Sequence, residues 1–182
     1  MAAKFTIVAY SAALHEAALS FDCGSSSVFN AFIKGPDAAD ASMGKTFVLL
    51  NSDGAIVGYY NIGVGDVERS DGYQLLKCGG AIHINMLAID KHYRGVTLFT
   101  SKGGTHVRCS DILLNDCLRR IRYIRDKYVG FMFVTLSATR EGVSLYERFQ
   151  FTALEDDMSF SSSDMEKTGK GRQMYLPLDY EP

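Results

Sequence analysis

Between a strand-like run, GFMFVTL at 130–136, and a second short apolar run, FQFTAL at 149–154, the sequence leaves room for one short helix, and that helix carries Tyr146. Val143, Leu145 and Tyr146 are spaced to reach a core from it. A phenol between two strands can sit in a crevice at the strand ends, where open α/β sheets commonly bind ligands. There its O–H can serve as a donor. The same spacing equally fits a tyrosine that is simply buried among its apolar neighbours. A second titratable side chain, His83, lies on the alternating run AIHINMLAID at 81–90. His83, Asn85, Leu87 and Ile89 face one way on such a strand, and Ile82, Ile84, Met86 and Ala88 the other.

Other chemistries find little footing. The four cysteines, Cys23, Cys78, Cys109 and Cys117, form no C-x-x-C pair and read as free thiols. The four histidines make neither an H-x-x-x-H nor an H-E-x-x-H arrangement, so no metal site is expected. A net charge of -2 gives no global basic field to attract nucleic acid or membrane. No apolar run approaches the roughly 20 residues of a membrane helix. The start, MAAKFTIVAY, reads as a strand rather than a targeting leader, and a cytoplasmic location is expected.

The elements that must position these residues follow in order. Residues 4–10 read as a first strand and 11–34 as helical, broken by FDCGSSS at 21–27. A small polar stretch at 34–45 reads as a loop. TFVLL at 46–50 and AIVGYYNIGV at 55–64 read as strands around a hairpin turn at Asp53-Gly54. Residues 66–80 read as a connection, 81–90 as a strand, and the stretch through Gly104 as a polar loop. A long helix is expected from about Val107 to Tyr128, with Leu114, Cys117, Leu118, Ile121 and Ile124 as its apolar stripe. Residues 155–172 read as a loop and QMYLPL at 173–178 as a last strand. Strands and helices mixed in this way predict one α/β domain over 1–182, a sheet covered on both faces.

This order resembles the GNAT N-acetyltransferase superfamily over nearly the whole chain. SLYERFQF (144–151) is similar to the family's F-Y-E-R-F-G-F segment, whose tyrosine commonly serves as general acid. MLAID followed by YRG resembles the family strand that leads into its R/Q-x-x-G-x-G/A loop. FDCG, VFNAFI, TFV and IVGYY together resemble the branch containing the acetyltransferase toxins of toxin–antitoxin pairs. The resemblance implies a mixed sheet whose central strands splay to form an acyl-CoA site, with acetyl-CoA as cosubstrate and a primary amine as acceptor. It implies that Tyr146 protonates the departing thiolate. It implies, too, that the backbone of Leu87, Ala88 and Ile89 pairs with the pantetheine arm, although an ordinary central strand would read the same way.

The cofactor loop departs from the family pattern. Arg94-Gly95 is present, but Val96, Thr97, Leu98 and Phe99 stand where further glycines belong. In one account an insertion postpones the turn, so that Lys102, Gly103 and Gly104 open the helix. In the other, Arg108, Cys109 and Ser110 occupy the motif positions. Either leaves backbone N–H groups and the helix dipole to hold a pyrophosphate, with Arg94, Lys102 or Arg108 available for the phosphates. The family's general base has no match; His83 stands four residues before Leu87 and either accepts the amine proton or merely lines the sheet.

Three functions compete on these residues. The first is an acetyl-CoA-dependent N-acetyltransferase acting on an unspecified amine. The second is a toxin-type enzyme acetylating aminoacyl-tRNA, with an antitoxin partner, and Arg119, Arg120, Arg122 and Arg125 as a basic stripe. The third is a non-catalytic acyl-CoA-binding module. A homodimer is left open by all three.

Overall fold

The computed structural model describes residues 5–24, 27–162 and 171–178. Strand β1 (Thr6–Ala9) pairs antiparallel with β2 (Lys45–Leu50), from Thr6↔Leu50 to Ala9↔Phe47. Two short helices, α1 (His15–Leu19) and α2 (Ser27–Lys34), separate them in sequence. The predicted Asp53-Gly54 turn leads into β3 (Ile56–Ser70). Gly54 takes a φ of +80°, and the Asn51 side chain accepts the N–H groups of Asp53 and Ala55, both at 2.9 Å. An Asn-led turn closed by a left-handed glycine fits this segment.

β3 and β4 (Leu75–Ile89) are each 15 residues long, so the expected connection at 66–80 is mostly strand. The turn is confined to the residues around Asp71, whose carboxylate accepts the N–H groups of Tyr73 and Gln74. The outer end of β3 is largely polar (Asp66, Glu68, Arg69, Ser70) and that of β4 reads Leu-Leu-Lys-Cys-Gly-Gly, so apolar alternation gives no signal in either. Polar pairs such as Lys77 Nζ with Asp66 at 2.8 Å tie them instead.

A small hairpin, β5 (Thr97–Thr100) with β6 (His106–Arg108), precedes the long helix α3 (Cys109–Lys127). Then come β7 (Phe133–Ala138), α4 (Val143–Arg148), β8 (Thr152–Ala153), β9 (Met158–Ser162) and β10 (Arg172–Pro177). The hydrogen-bonded order is β1-β2-β3-β4-β7-β10-β8, with β9 on β3. β4 and β7 run parallel while β7 and β10 run antiparallel, which makes the sheet mixed as expected.

Two compact units divide the chain: residues 1–61 with 86–120, and residues 62–85 with 121–182. In the first, Val48, Leu49, Val57, Tyr59, Tyr60, Leu113, Leu114 and Cys117 are completely buried. Burying each of Leu113 and Leu114 contributes roughly 1.5–3 kcal/mol. In the second, Val67, Ala81 and Phe160 form a cluster, flanked by Phe133, Leu154 and Met158. That cluster corrects the reading of 155–172 as a loop. Met158 and Phe160 alternate onto the core, and β9 pairs with β3 from Gly65↔Ser162 to Arg69↔Met158. Residues 163–170 of that stretch lie outside the described residues.

Candidate functional site

In the first unit, β4 ends in Leu87, Ala88 and Ile89, with Leu87 half-buried and the other two buried. Asp90 closes the strand: its N–H donates to the Val57 carbonyl at 2.8 Å, and its side chain is buried. Gly58 makes this packing possible. A Cβ on it would lie 2.7 Å from Leu113 Cδ1 and 2.8 Å from both the Ala88 oxygen and Ile89 Cδ1. The glycine of the VGYY segment is therefore a point where β3, β4 and α3 meet too closely for a side chain. The two tyrosines that follow are polar struts. The Tyr59 hydroxyl donates to the Phe29 carbonyl at 2.7 Å and the Tyr60 hydroxyl to Asp116 at 2.7 Å.

Beyond Asp90 the two accounts of the loop separate. Lys102, Gly103 and Gly104 sit at the tip of the β5–β6 hairpin and do not open the helix, which corrects the first account. Gly104, at φ +81°, donates to the Ser101 carbonyl at 2.9 Å, and Ser101 N–H donates to the Thr105 carbonyl at 2.8 Å. The Val, Thr and Phe residues of VTLFT and HVR are good strand formers, which a loop reading overlooks. The helix opens at Cys109, so Arg108, Cys109 and Ser110 stand at its start. Arg108 N–H donates to the Asp111 carboxylate at 2.9 Å, the reach-back half of a capping box. Cys109 is fully buried, and burial pushes its thiol up to about 11, so it remains a neutral packing group. Arg94 is turned to the protein: its guanidinium donates to the Cys23 carbonyl.

The arginine stripe of α3 is partly committed to the protein as well. Arg119 and Arg120 bind Asp116 at 2.8 and 2.7 Å, and Arg120 lies 4.4 Å over the Phe47 ring. Burial pushes the Asp116 carboxyl up, but hydrogen bonds from Arg119, Arg120 and Tyr60 outweigh it and hold it below the ordinary value. Arg125 meets Asp126 at 3.0 Å, while Arg122 is exposed.

In the second unit, parallel pairing of β4 with β7 runs from Ala81↔Phe133 to Ile84↔Leu136. His83 sits opposite Thr135, with Nδ1 2.8 Å from the Thr135 hydroxyl and its ring 4.9 Å from that of Phe160. It is 2% exposed, and burial lowers its pKa to about 4. Tyr146 lies on α4, buried, its ring edge-on to Phe151 at 5.7 Å. Its carbonyl accepts the N–H groups of Phe149 and Phe151 at 2.9 and 3.1 Å, which closes the helix. Gln150, at φ +68°, turns the chain out of it, where the family segment has glycine.

Neutral burial of His83 has a consequence for stability. Its folded-state pKa lies below the unfolded value of about 6.5, so the folded state binds fewer protons. Stability is then complete above pH 6.5 and declines as pH falls toward 4. The loss from this group alone approaches about 3 kcal/mol, at 1.36 kcal/mol per pKa step. Urea midpoints at pH 7 and 4.5 should differ less for His83→Gln than for the wild type, and an equal difference would remove His83 as the cause.

Among the described residues no group of three or more His, Cys, Asp or Glu could hold a metal ion. No helix among them is long and apolar enough to cross a membrane. Residues that sequence reasoning passed over are Gly58, Asp22, Asp90, Asp111 and Thr135. The acid that ends the LAID strand and the acid of FDCG were signals in plain view.

No family model matches the sequence, and comparison with curated proteins gives no match. Solved structures do match. A bacterial toxin superposes with a TM-score of 0.69 at 18% identity, covering 96% of this chain and 91% of that one. A mutant of the AtaT toxin, bound to the C-terminus of the antitoxin AtaR and acetyl-CoA, gives 0.61 at 14% identity, covering 96% and 93%. An acetyltransferase of the GNAT family from Staphylococcus aureus gives 0.55 at 13% identity, covering 97% and 100%. A mixed sheet in this strand order, matched over nearly its full length by these structures, gives the chain the fold of the GNAT acetyltransferases.

Proposed function

We propose that this chain is an acetyl-CoA-dependent N-acetyltransferase that acetylates a primary amine, with Tyr146 as general acid. The observation that carries the reading is the position of Tyr146. It lies on α4, the helix that directly follows β7, and β7 is the parallel partner of β4. We take residues 1–182 as one catalytic domain, because the division into two units cuts through β3, β4 and α3.

The residues present fit the donor. The β4–β7 register ends at Ile84↔Leu136, while β4 continues to Ile89. An extended backbone at Leu87, Ala88 and Ile89 presents N–H and C=O groups in the spacing that the amides of a pantetheine arm require. The first turn of α3 carries N–H groups without intrahelical partners, and its dipole favours an anion there. Arg108 adds a cation, and the Asp111 carboxylate that caps the same turn opposes it. Acetyl-CoA, when bound, supplies the acetyl group as a thioester.

Tyr146 gives its phenol proton to the sulfur as the C–S bond breaks and the new C–N bond forms. The amine must reach the carbonyl carbon unprotonated. His83 is a weak candidate to deprotonate it, because a base works best with a pKa near the working pH and burial holds this one at about 4. We therefore give His83 the ordering of Thr135 and assign the amine proton to solvent. That suits an acceptor of low basicity.

Calorimetry with acetyl-CoA tests the reading directly. At about one hundred times Kd, bound donor should stabilise the protein by about 2.7 kcal/mol and raise its melting temperature. Neither heat of binding nor a thermal shift at millimolar acetyl-CoA would remove the enzyme reading and the non-catalytic acyl-CoA module together.

A toxin acting on aminoacyl-tRNA is the second reading, favoured by the likeness to solved toxins. The arginine stripe is a modest footing for it, since Arg119, Arg120 and Arg125 all have carboxylate partners. Expression in a cytoplasm without any partner should arrest translation, and normal growth would count against it.

A further inference from the structure

Lys91 and Arg94 flank the loop that should receive the donor's phosphates, yet both point into one turn of the protein. The turn is Asp22–Gly24, from the FDCG segment between α1 and α2. The bonds between it and the end of β4 are reciprocal. Asp90 Oδ2 accepts the Asp22 N–H at 3.0 Å, and the Asp22 carbonyl accepts the Lys91 N–H at 2.8 Å. Lys91 Nζ binds Asp22 Oδ2 at 2.7 Å, and the Arg94 guanidinium donates to the Cys23 carbonyl.

The turn is itself fixed. Asp22 Oδ1 accepts the Gly24 N–H at 2.8 Å and Asn30 Nδ2 at 3.2 Å, while the Cys23 N–H donates to Asn30 Oδ1 at 2.9 Å. Phe21, 1% exposed, anchors it against the Tyr59 ring at 5.4 Å. Gly24, at φ +85°, lets the backbone turn away beside Lys91. On the other side, Asp90 Oδ1 accepts the His92 N–H at 3.0 Å and lies 2.8 Å from His92 Nδ1. Four polar groups of the 90–94 segment, Asp90 Oδ2, the Lys91 N–H, Lys91 Nζ and the Arg94 guanidinium, are thus directed to the same turn.

We propose that the Asp22–Gly24 turn and Asp90 form a latch that sets the Leu87–Ile89 edge and the Asp90–Gly95 loop for the acyl donor. Asp22, Asp90 and Arg94 are then positioning residues, and Arg94 is not itself a phosphate ligand. The inference rests on the acetyl-CoA reading above. Its energetic logic is pre-organisation: a strand edge and loop already held in the bound geometry lose less freedom on binding. A carboxylate accepting two or three N–H bonds is a strong means of holding a loop in one geometry.

The test measures Kd for acetyl-CoA and for S-acetylpantetheine, which lacks the nucleotide end, well below the melting temperature of each variant. Asp22→Ala should weaken both about tenfold, Asp22→Asn less, and Arg94→Met should also weaken both. Val67→Ala, a core cavity in the second unit, should lower the melting temperature and leave both constants unchanged. Should Asp22→Ala not fold, Arg94→Met, altered at an exposed side chain, carries the test alone. Constants within twofold of the wild type would overturn the latch. So would a loss confined to acetyl-CoA, because that makes Arg94 or Lys91 a direct phosphate contact. If the wild type binds neither ligand, the acetyl-CoA reading fails and the latch with it; if it binds and the variants match it, only the latch fails.

Discussion

Tyr146→Phe is expected to lower turnover about 10²–10³-fold, within the range that a positioned general acid contributes, while acetyl-CoA binding stays within about twofold. The substitution removes one oxygen and keeps the ring. The edge-on contact with Phe151 survives, as does the close approach of Gly142, whose Cβ position lies 3.2 Å from the Tyr146 ring. Backbone bonds from Phe149 and Phe151 to the Tyr146 carbonyl do not involve the side chain at all. Loss of a hydroxyl hydrogen bond should cost about 1 kcal/mol of stability, too little to unfold a domain of this size. Turnover and binding therefore separate cleanly. A buried tyrosine that only packs would lose stability and retain turnover. Single-turnover rates for the phenylalanine variant within threefold of the wild type would withdraw the general-acid role.

Legibility in the sequence followed burial. Where a strand alternates or a helix repeats an apolar stripe, the residues announced themselves: β2, the inner half of β4 and α3 lie close to their expected bounds, and Leu114, Cys117, Leu118 and Ile121 are all buried. Elements built on polar contacts did not. The β5–β6 hairpin exposes most of its side chains, and the outer ends of β3 and β4 are largely half-buried or exposed without alternation, so periodicity carries no information there. β9 betrays itself only by Met158 and Phe160, two apolar residues in a run of serines and acids. The site splits the same way. The short helix that carries Tyr146 was legible because apolar runs bracket it. The positions of Lys102, Gly103 and Gly104 were not, because a glycine-bearing stretch reads alike at a hairpin tip and at a helix start. Asp22 and Asp90 sit 68 residues apart, and nothing in a linear pattern announces that Asp90 accepts the Asp22 N–H or that Asp22 accepts from Lys91 beside it.

Gly58→Ala should be the most damaging single methyl in the first unit, with a loss of about 2–3 kcal/mol from overpacking. At ordinary backbone angles, replacing glycine with alanine gains about 0.4–1 kcal/mol by restricting the unfolded chain. Sterics decide against it here. Leu113 Cδ1 and Ile89 Cδ1 are side-chain ends that can rotate, but both lie in a packed core with little room. The third neighbour, the Ala88 carbonyl oxygen 2.8 Å away, is backbone and can yield only if β4 itself moves. At roughly 2–4 °C per kcal/mol for a chain of this length, the melting temperature should fall by about 5–10 °C. Gly54→Ala is the matched contrast. Gly54 has φ +80° and nothing within 4 Å of its Cβ position, so its cost of about 1–2 kcal/mol is purely conformational. Movement of Ala88 displaces the strand edge assigned to the donor. Gly58→Ala should therefore also weaken acetyl-CoA binding, whereas Gly54→Ala, in the distant β2–β3 turn, should not. Equal binding by the two variants would mean that the Leu87–Ile89 edge is not where the donor is held.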